Sequence, residues 1–295
     1  MGAERHAGET PPRRGVADAP DSLRSCKAIV PQVLLYLGLS LVGDFIGFRG
    51  DEDSGAMMNF ISIGCRSLDE ILGGGIPFGR VTLIYGEAST GKTTLAMRVL
   101  VNYLRAGGED ANLKRALYVD SDRKFSLARF SQIAGTDVDE VLKRLLLCMP
   151  EDFEEQMRLI EEVESFTAGN IRLIVLDTIT SLYREEIASS RDVFSLNRGL
   201  NRQLAYLREA AEKRDLAVLL LSQVHSTLKP GEPSIEPVSS RLLRYWSDII
   251  LRLDLTPQPG VRVAVLEKPR RGMMSCRFRL VPSGLVDLGL LSEDP

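Results

Sequence analysis

The chain has 295 residues, with 37 Lys+Arg against 40 Asp+Glu, 44% hydrophobic and 6% aromatic. That size suits one large domain or two small ones, and a charged content of 26% matches an ordinary soluble globular chain rather than a mini-protein, a fibre or a multi-span membrane protein. Cys26, Cys65, Cys148 and Cys276 are scattered without a Cys-x-x-Cys pair, and His6 and His225 are the only histidines, so neither a disulfide framework nor a structural zinc site is expected.

Residues 1–25 mix Gly, Ala, Pro, Arg and Asp without periodicity. Ile29 to Phe48 is apolar, but Pro31 and Asp44 interrupt it and no clean cleavage site follows, so a membrane role is not expected. Met57 and Met58 stand directly before the first regular pattern. Residues 1–56 therefore read as a disordered or mis-assigned extension, and 57–295 as one domain.

From Asn59 onward, apolar β-rich runs at Val81–Tyr85, Ala116–Val119, Leu173–Leu176 and Leu216–Leu221 alternate with helical patterns at Thr93–Arg105, Phe153–Phe166 and Phe194–Lys213. This alternation predicts an α/β fold, a mainly parallel sheet with helices on both faces. Residues 137–164 hold ten acids and three basic residues among apolar positions at helical spacing, which reads as a solvated helix face. Beyond Leu221 the pattern turns to strands, Trp246–Leu255, Val261–Glu267 and Cys276–Pro282, expected as an antiparallel extension of the same sheet. Nine basic residues against three acids between Arg241 and Arg279 concentrate positive charge there.

Gly86-Glu87-Ala88-Ser89-Thr90-Gly91-Lys92-Thr93 fits G-x-x-x-x-G-K-[ST], with a strand before it and a helix from Thr94 after it. In that setting the loop amides and the helix N-terminus surround the phosphates of ATP. Lys92 adds positive charge at the β- and γ-phosphates, and Thr93 offers a hydroxyl to Mg²⁺. Asp177, closing the apolar run that starts at Ile171, is the expected second anchor of that cation. Parallel strands place their C-terminal ends along one crevice, so Asp177 and the loop should share an edge. The strand Ala116–Asp120, followed by Ser121 and Asp122, lies where an acid able to orient attacking water must emerge, and Gln223 is placed to feel a γ-phosphate. His225 reads as an ordinary loop histidine.

The run Ile63–Ile76 followed by Gly79, Tyr85-Gly86-Glu87, Leu176–Arg184 and Ser222-Gln223-Val224 together resemble the RecA/RadA recombinase ATPase core, from Ile61 to Leu288. Within that superfamily the chain is most similar to the short archaeal RadB-like paralogues of RadA. The resemblance implies a RecA-type P-loop core, ATP and Mg²⁺ as cofactors, a cytoplasmic location, and work in DNA recombination or repair as a mediator beside RadA or other repair proteins. It also implies homo-oligomerisation, although neither the helix-hairpin-helix domain nor the aromatic linker motif of the longer recombinases is found before Ile61. Arg129 matches the arginine that the family sets against adenine. The Glu267–Gly272 turn, with Pro269, is expected to project Lys268, Arg270 and Arg271 towards a neighbouring subunit's ATP.

Two segments correspond to the family's DNA-binding loops, Glu185–Asp192 and His225–Ser240. The first offers Arg191, with Arg198 and Arg202 in the helix beyond; the second has Lys229 against Glu232 and Glu236. Phosphate neutralisation dominates nucleic-acid affinity, so DNA binding, with single strands preferred, should be weak. Where recombinases usually carry a catalytic glutamate this chain has Asp122, one methylene shorter, and ATP turnover is expected to be slow and DNA-dependent as a result. Two other readings stay open: a KaiC-like signalling ATPase or autokinase, and a non-catalytic adaptor whose nucleotide sets a conformation for the main recombinase.

Overall fold

The computed structural model describes residues 26–28, 60–106, 114–164, 170–190, 192–227, 234–237, 239–269 and 274–291, with backbone alone for 26–28, 225–227 and 234–237. In chain order the elements are β1 (Cys26–Ala28), β2 (Phe60–Ile61), α1 (Arg66–Ile71), β3 (Ile76–Pro77), β4 (Arg80–Gly86), α2 (Lys92–Arg105), β5 (Arg115–Asp120), α3 (Leu127–Ala134), α4 (Val138–Leu142), β6 (Leu145–Cys148) and α5 (Phe153–Glu161). There follow β7 (Ile171–Asp177), α6 (Ser181–Ser189), α7 (Val193–Arg214), β8 (Ala217–Ser222), β9 (Val224–Thr227), β10 (Ser234–Pro237), α8 (Ser240–Trp246), β11 (Ile249–Leu255), β12 (Val261–Lys268), β13 (Met274–Val281) and β14 (Gly284–Leu291).

A 10-stranded sheet runs β1-β6-β5-β7-β8-β4-β11-β12-β13-β14. Strands β6, β5, β7, β8, β4 and β11 are mutually parallel, and β12, β13 and β14 continue antiparallel. Side chains alternate across each strand, so one run of residues feeds two cores. Ala217, Leu219 and Leu221 of β8 join the core under α1–α4, while Val218 and Leu220 join the core under α5–α8. Side chains cap the starts of α3, α5 and α7: Ser126 accepts from Arg129 N–H, Asp152 from Glu155 N–H and Asp192 from Ser195 N–H.

The parallel core and the antiparallel continuation agree with the expectation from sequence, and four details differ. The acidic stretch 137–164 is two short helices, α4 and α5, separated by the fully buried strand β6; Leu145–Cys148 is too short a run to register beside the helical periodicity. Trp246 ends a helix, and β11 pairs parallel with β4, so the antiparallel part starts one strand later than expected and ends one later, at β14. The segment read as a loop at 185–192 is helical through Ser189. Cys148 is disulfide-bonded, an exception to the expectation of unpaired cysteines, and β1, within the stretch before residue 57, pairs its backbone antiparallel to β6. Among the described residues no helix is long and apolar enough to cross a membrane.

One buried polar side chain ties the layers together. Gln156 of α5 is fully buried; its Oε1 accepts from Ser121 Oγ at 2.7 Å, and its Nε2 donates to Ile179 O at 3.2 Å and to Gln203 Oε1 of α7 at 2.8 Å. It thus braces the ends of β5 and β7 against α7. Gln156→Ala removes these bonds and strands buried partners beside a cavity. The expected cost is about 2–4 kcal/mol, read as a lower urea midpoint at unchanged slope.

Candidate ATP-binding site

Strand register sets the site. At the C-terminal edge Asp120 of β5 lies opposite Asp177 of β7, Leu176 of β7 opposite Leu220 of β8, and Ser222 of β8 opposite Tyr85 of β4, one residue before the phosphate loop. The loop must be glycine at both ends. A Cβ on Gly86 would meet Leu253 O at 2.3 Å, and Gly91, at φ +98°, would drive one into Leu280 at 2.8 Å. Between them Thr90 Oγ1 donates to Glu87 O at 2.9 Å, and Arg262 of β12 donates to Ser89 O through Nη2 at 2.9 Å and Nε at 3.2 Å.

Lys92 and Thr93 open α2. The Lys92 ammonium is buried and donates to Gly86 O at 2.9 Å and Glu87 O at 2.7 Å, the loop's own carbonyls. Burial lowers its pKa, while the charges of Asp177 and Asp122 act in the opposite sense. Thr93 Oγ1 donates to Asp177 Oδ2 at 2.6 Å, and the Tyr118 hydroxyl donates to the same oxygen at 2.6 Å. Burial pushes the Asp177 carboxyl above its ordinary range, partly relieved by these two donors. Tyr118, wholly buried beside that carboxylate, is raised far enough to remain a donor.

A hydroxyl and a carboxylate touching at the mouth of a phosphate loop are hard oxygen donors of the kind Mg²⁺ takes alongside substrate phosphates and water. Among the described residues no group of three His, Cys, Asp or Glu could hold a metal, so Thr93 and Asp177 fit a cation shared with a nucleotide rather than a protein-only cage.

Asp122 lies beside them, its backbone N–H donating to Asp177 O at 3.4 Å. Both of its carboxylate oxygens are engaged: Ser181 Oγ donates to Oδ1, while Gln223 Nε2 at 3.0 Å and Lys124 Nζ at 3.1 Å donate to Oδ2. Arg184 Nη1 in turn donates to Gln223 Oε1 at 3.2 Å. Asp120, by contrast, accepts the N–H groups of Lys124 at 3.0 Å and Phe125 at 2.7 Å, and so spends its oxygens on the turn that follows β5.

Comparison with known proteins settles the family. The Rad51 family profile matches residues 56–288. The chain belongs to the Rad51 family. The DNA repair and recombination protein RadB of Thermococcus gammatolerans is 39% identical over 235 residues, 77% of this chain and 99% of that one. The RadB protein of Methanococcoides burtonii is 31% identical over 222 residues, 75% and 95% of the two chains. A crystal structure of the RadB recombinase matches with a TM-score of 0.64 at 36% identity, covering 78% of this chain and 100% of that one.

Within this Rad51-family domain the remaining residues named from sequence fall in different places. Arg129 of α3 donates to Val281 O and Pro282 O, each at 2.8 Å, which fixes its guanidinium against the turn between β13 and β14. Lys268 does not project: its ammonium donates inward to Arg244 O at 3.2 Å and Ser247 O at 2.5 Å, closing the C-terminus of α8. Elsewhere in the basic stretch Arg244 and Arg252 both pair with Glu267, while Arg241, Arg277 and Arg279 are exposed. Arg202 pairs with Glu161 at 2.9 Å. Arg191, Lys229, Arg270, Arg271 and the side chain of His225 lie outside the described residues; the described backbone at Val224–Thr227 and Ser234–Pro237 forms the ribbon β9–β10.

Sequence reasoning missed Tyr118, Ser181, Lys124 and Arg184. Tyr118 carried a signal, since a tyrosine in an apolar strand two residues before Asp120 needs a buried partner for its hydroxyl. Lys124 bonds Asp122 within the same turn, two residues away, whereas Ser181 and Arg184 act across elements that only the fold brings together.

The raised Asp177 pKa has a measurable consequence. Its protonated form cannot serve a cation, so affinity for ATP with Mg²⁺ should fall as the pH drops through the raised carboxyl value, and Asp177→Asn should flatten that profile. In the nucleotide-free protein the sign reverses: a carboxyl raised in the fold binds its proton more tightly there, so this group's contribution to stability declines as pH rises through the raised value. Nucleotide titrations and thermal melts on either side of that value check both directions.

Proposed function

We propose that this chain is an ATP-binding protein of DNA recombination and repair, a RadB-type paralogue that hydrolyses ATP slowly in response to single-stranded DNA and assists a main recombinase in the cytoplasm. The observation that carries the reading is the contact of Thr93 with Asp177 at the mouth of the phosphate loop, with Asp122 and Gln223 beside it. Its relatives named as DNA repair and recombination proteins supply the biological setting.

In this mechanism the amides of the phosphate loop and the Lys92 ammonium bind the phosphates, and Lys92 exchanges its loop carbonyls for phosphate oxygens as they arrive. Thr93 and Asp177 would hold Mg²⁺, which supplies charge neutralisation at the phosphates when bound. Arg129, fixed at both nitrogens, presents a face for the adenine. Asp122 takes the proton of the attacking water, and Gln223 orients that water relative to the γ-phosphate.

The engaged state of Asp122 favours one alternative, a nucleotide-dependent adaptor without turnover, because both oxygens of the base are occupied by donors. Two measurements on one pair of proteins decide between them. Lys92→Ala should weaken ATP binding by about a hundredfold in a fluorescent-nucleotide titration, since a charge-assisted contact is deleted from a buried site. Unchanged affinity would contradict the ATP site itself. A parent chain whose hydrolysis with single-stranded DNA matches that of Lys92→Ala would establish the adaptor instead.

A further inference from the structure

Arg184 stands at the head of a hydrogen-bond chain that the proposed hydrolysis leaves unexplained. The guanidinium is exposed on α6, one residue before the segment aligned with the first DNA-binding loop. Its Nη1 donates to Gln223 Oε1 at 3.2 Å, and Gln223 Nε2 donates to Asp122 Oδ2 at 3.0 Å. An amide holds its oxygen and its NH₂ in one plane on a single carbon, so holding the oxygen also aims the NH₂. Arg184 thereby keeps Gln223 turned onto Asp122, although it touches neither Asp122 nor the phosphate loop.

We propose that Arg184 is a positioning residue that pins Gln223 against Asp122 while no nucleic acid is bound, and that capture of its guanidinium by a nucleic-acid phosphate releases the amide and frees the carboxylate for water. The inference rests on the ATPase reading above and names the side chain through which DNA reaches that site. Three facts support it.

The first is a competition of acceptors. The bond from Arg184 goes to a neutral amide oxygen, whereas a phosphate offers a charged, bidentate acceptor to the same fork, so the exchange is favoured once a backbone phosphate is near. The second is access. Among the described residues the guanidinium has no carboxylate partner to displace, in contrast to Arg202 and Arg208, which are held by Glu161 and Asp248. The third is that the far end matters. Asp122 Oδ1 is taken by Ser181 and Oδ2 by Gln223 and Lys124; losing Gln223 leaves Oδ2 with one exposed lysine, itself free to swing into solvent. With three of the carboxylate's roughly four lone-pair sites taken by donors, release of Gln223 opens Oδ2, the oxygen that carries two of them, to water.

The test is single-turnover hydrolysis of γ-labelled ATP by the full chain, Arg184→Ala, Arg184→Lys and Lys92→Ala, each with and without oligo(dT). Circular dichroism and melting temperature verify that the exposed substitution leaves the fold intact. Arg184→Ala should hydrolyse ATP without DNA roughly three- to tenfold faster than the parent, the range expected for losing one solvent-exposed hydrogen bond of ordinary net strength. Stimulation by oligo(dT) should collapse towards unity, and nucleotide affinity should stay unchanged. Arg184→Lys, which keeps a donor without the fork, should fall between the two. The DNA-free comparison stands even where the substitution weakens DNA binding. Should the parent exceed Lys92→Ala while Arg184→Ala shows the parent's DNA-free rate or a lower one, the pinning role is overturned and the ATPase reading survives. Should the parent and Arg184→Ala both match Lys92→Ala, both fall.

Discussion

The hydrogen bond from Thr93 to Asp177 is the contact on which the rest of the site depends. It joins the first turn of α2 to the end of β7, two segments separated by 84 positions in sequence, at 2.6 Å. It exists because β4, β8, β7 and β5 are parallel neighbours whose C-terminal ends fall on one line. Shift β7 by a single residue and its side chains exchange faces, which turns Asp177 away from Thr93. The wholly buried interiors of those strands fix the register, so packing energy is what places the chemistry.

Around that contact the charges are arranged for a guest. Asp177, Asp122 and Asp120 crowd one edge, and the raised pKa values of Asp177 and Asp120 record what burial does to carboxylates without a cation. Among the described residues, nearby positive charge leaves Asp177 without an ion pair: Lys92 donates to the loop's own carbonyls and Lys124 to Asp122. A nucleotide with Mg²⁺ brings the cation to the carboxylates and an anion to Lys92 at once. The C-terminal strands complete the wall, with Arg262 on Ser89 O, Leu280 against Gly91 and the carbonyls of Val281 and Pro282 on Arg129. The antiparallel extension thus supports the phosphate loop through Arg262, while its Arg277 and Arg279 are exposed.

Much of this was legible before the fold was known. The phosphate loop, its flanking strand and helix, and the carboxylate closing an apolar strand carry strong local patterns, and a parallel α/β sheet follows from their alternation. Asp122 and Gln223, named from their positions after strands, do meet. Less legible were features set by tertiary packing. The strand Leu145–Cys148 hides between two acidic helices because four apolar residues fit either period. Lys268 looked like a projecting turn residue because Pro269 follows it, yet the nearest unsatisfied acceptors are the carbonyls at the end of α8. Ser181 and Arg184 lay inside a recognised motif, but their partner Asp122, or Gln223 in between, is dozens of positions away and no spacing rule connects them. A shorter acid at position 122 suggested slow turnover; in the structure that acid is held at both oxygens.

The central claim is that Thr93 and Asp177 together form the cation end of a nucleotide site. The most direct measurement replaces Mg²⁺ by Mn²⁺ and follows its electron paramagnetic resonance in the presence of ATP, for the parent chain and for Asp177→Asn. The account predicts a protein-bound Mn²⁺ signal coupled to nucleotide phosphorus in the parent and a loss of cation affinity of roughly tenfold or more in the variant, with metal-free nucleotide binding kept within a few-fold. An identical Mn²⁺ signal and affinity in the two proteins would contradict it.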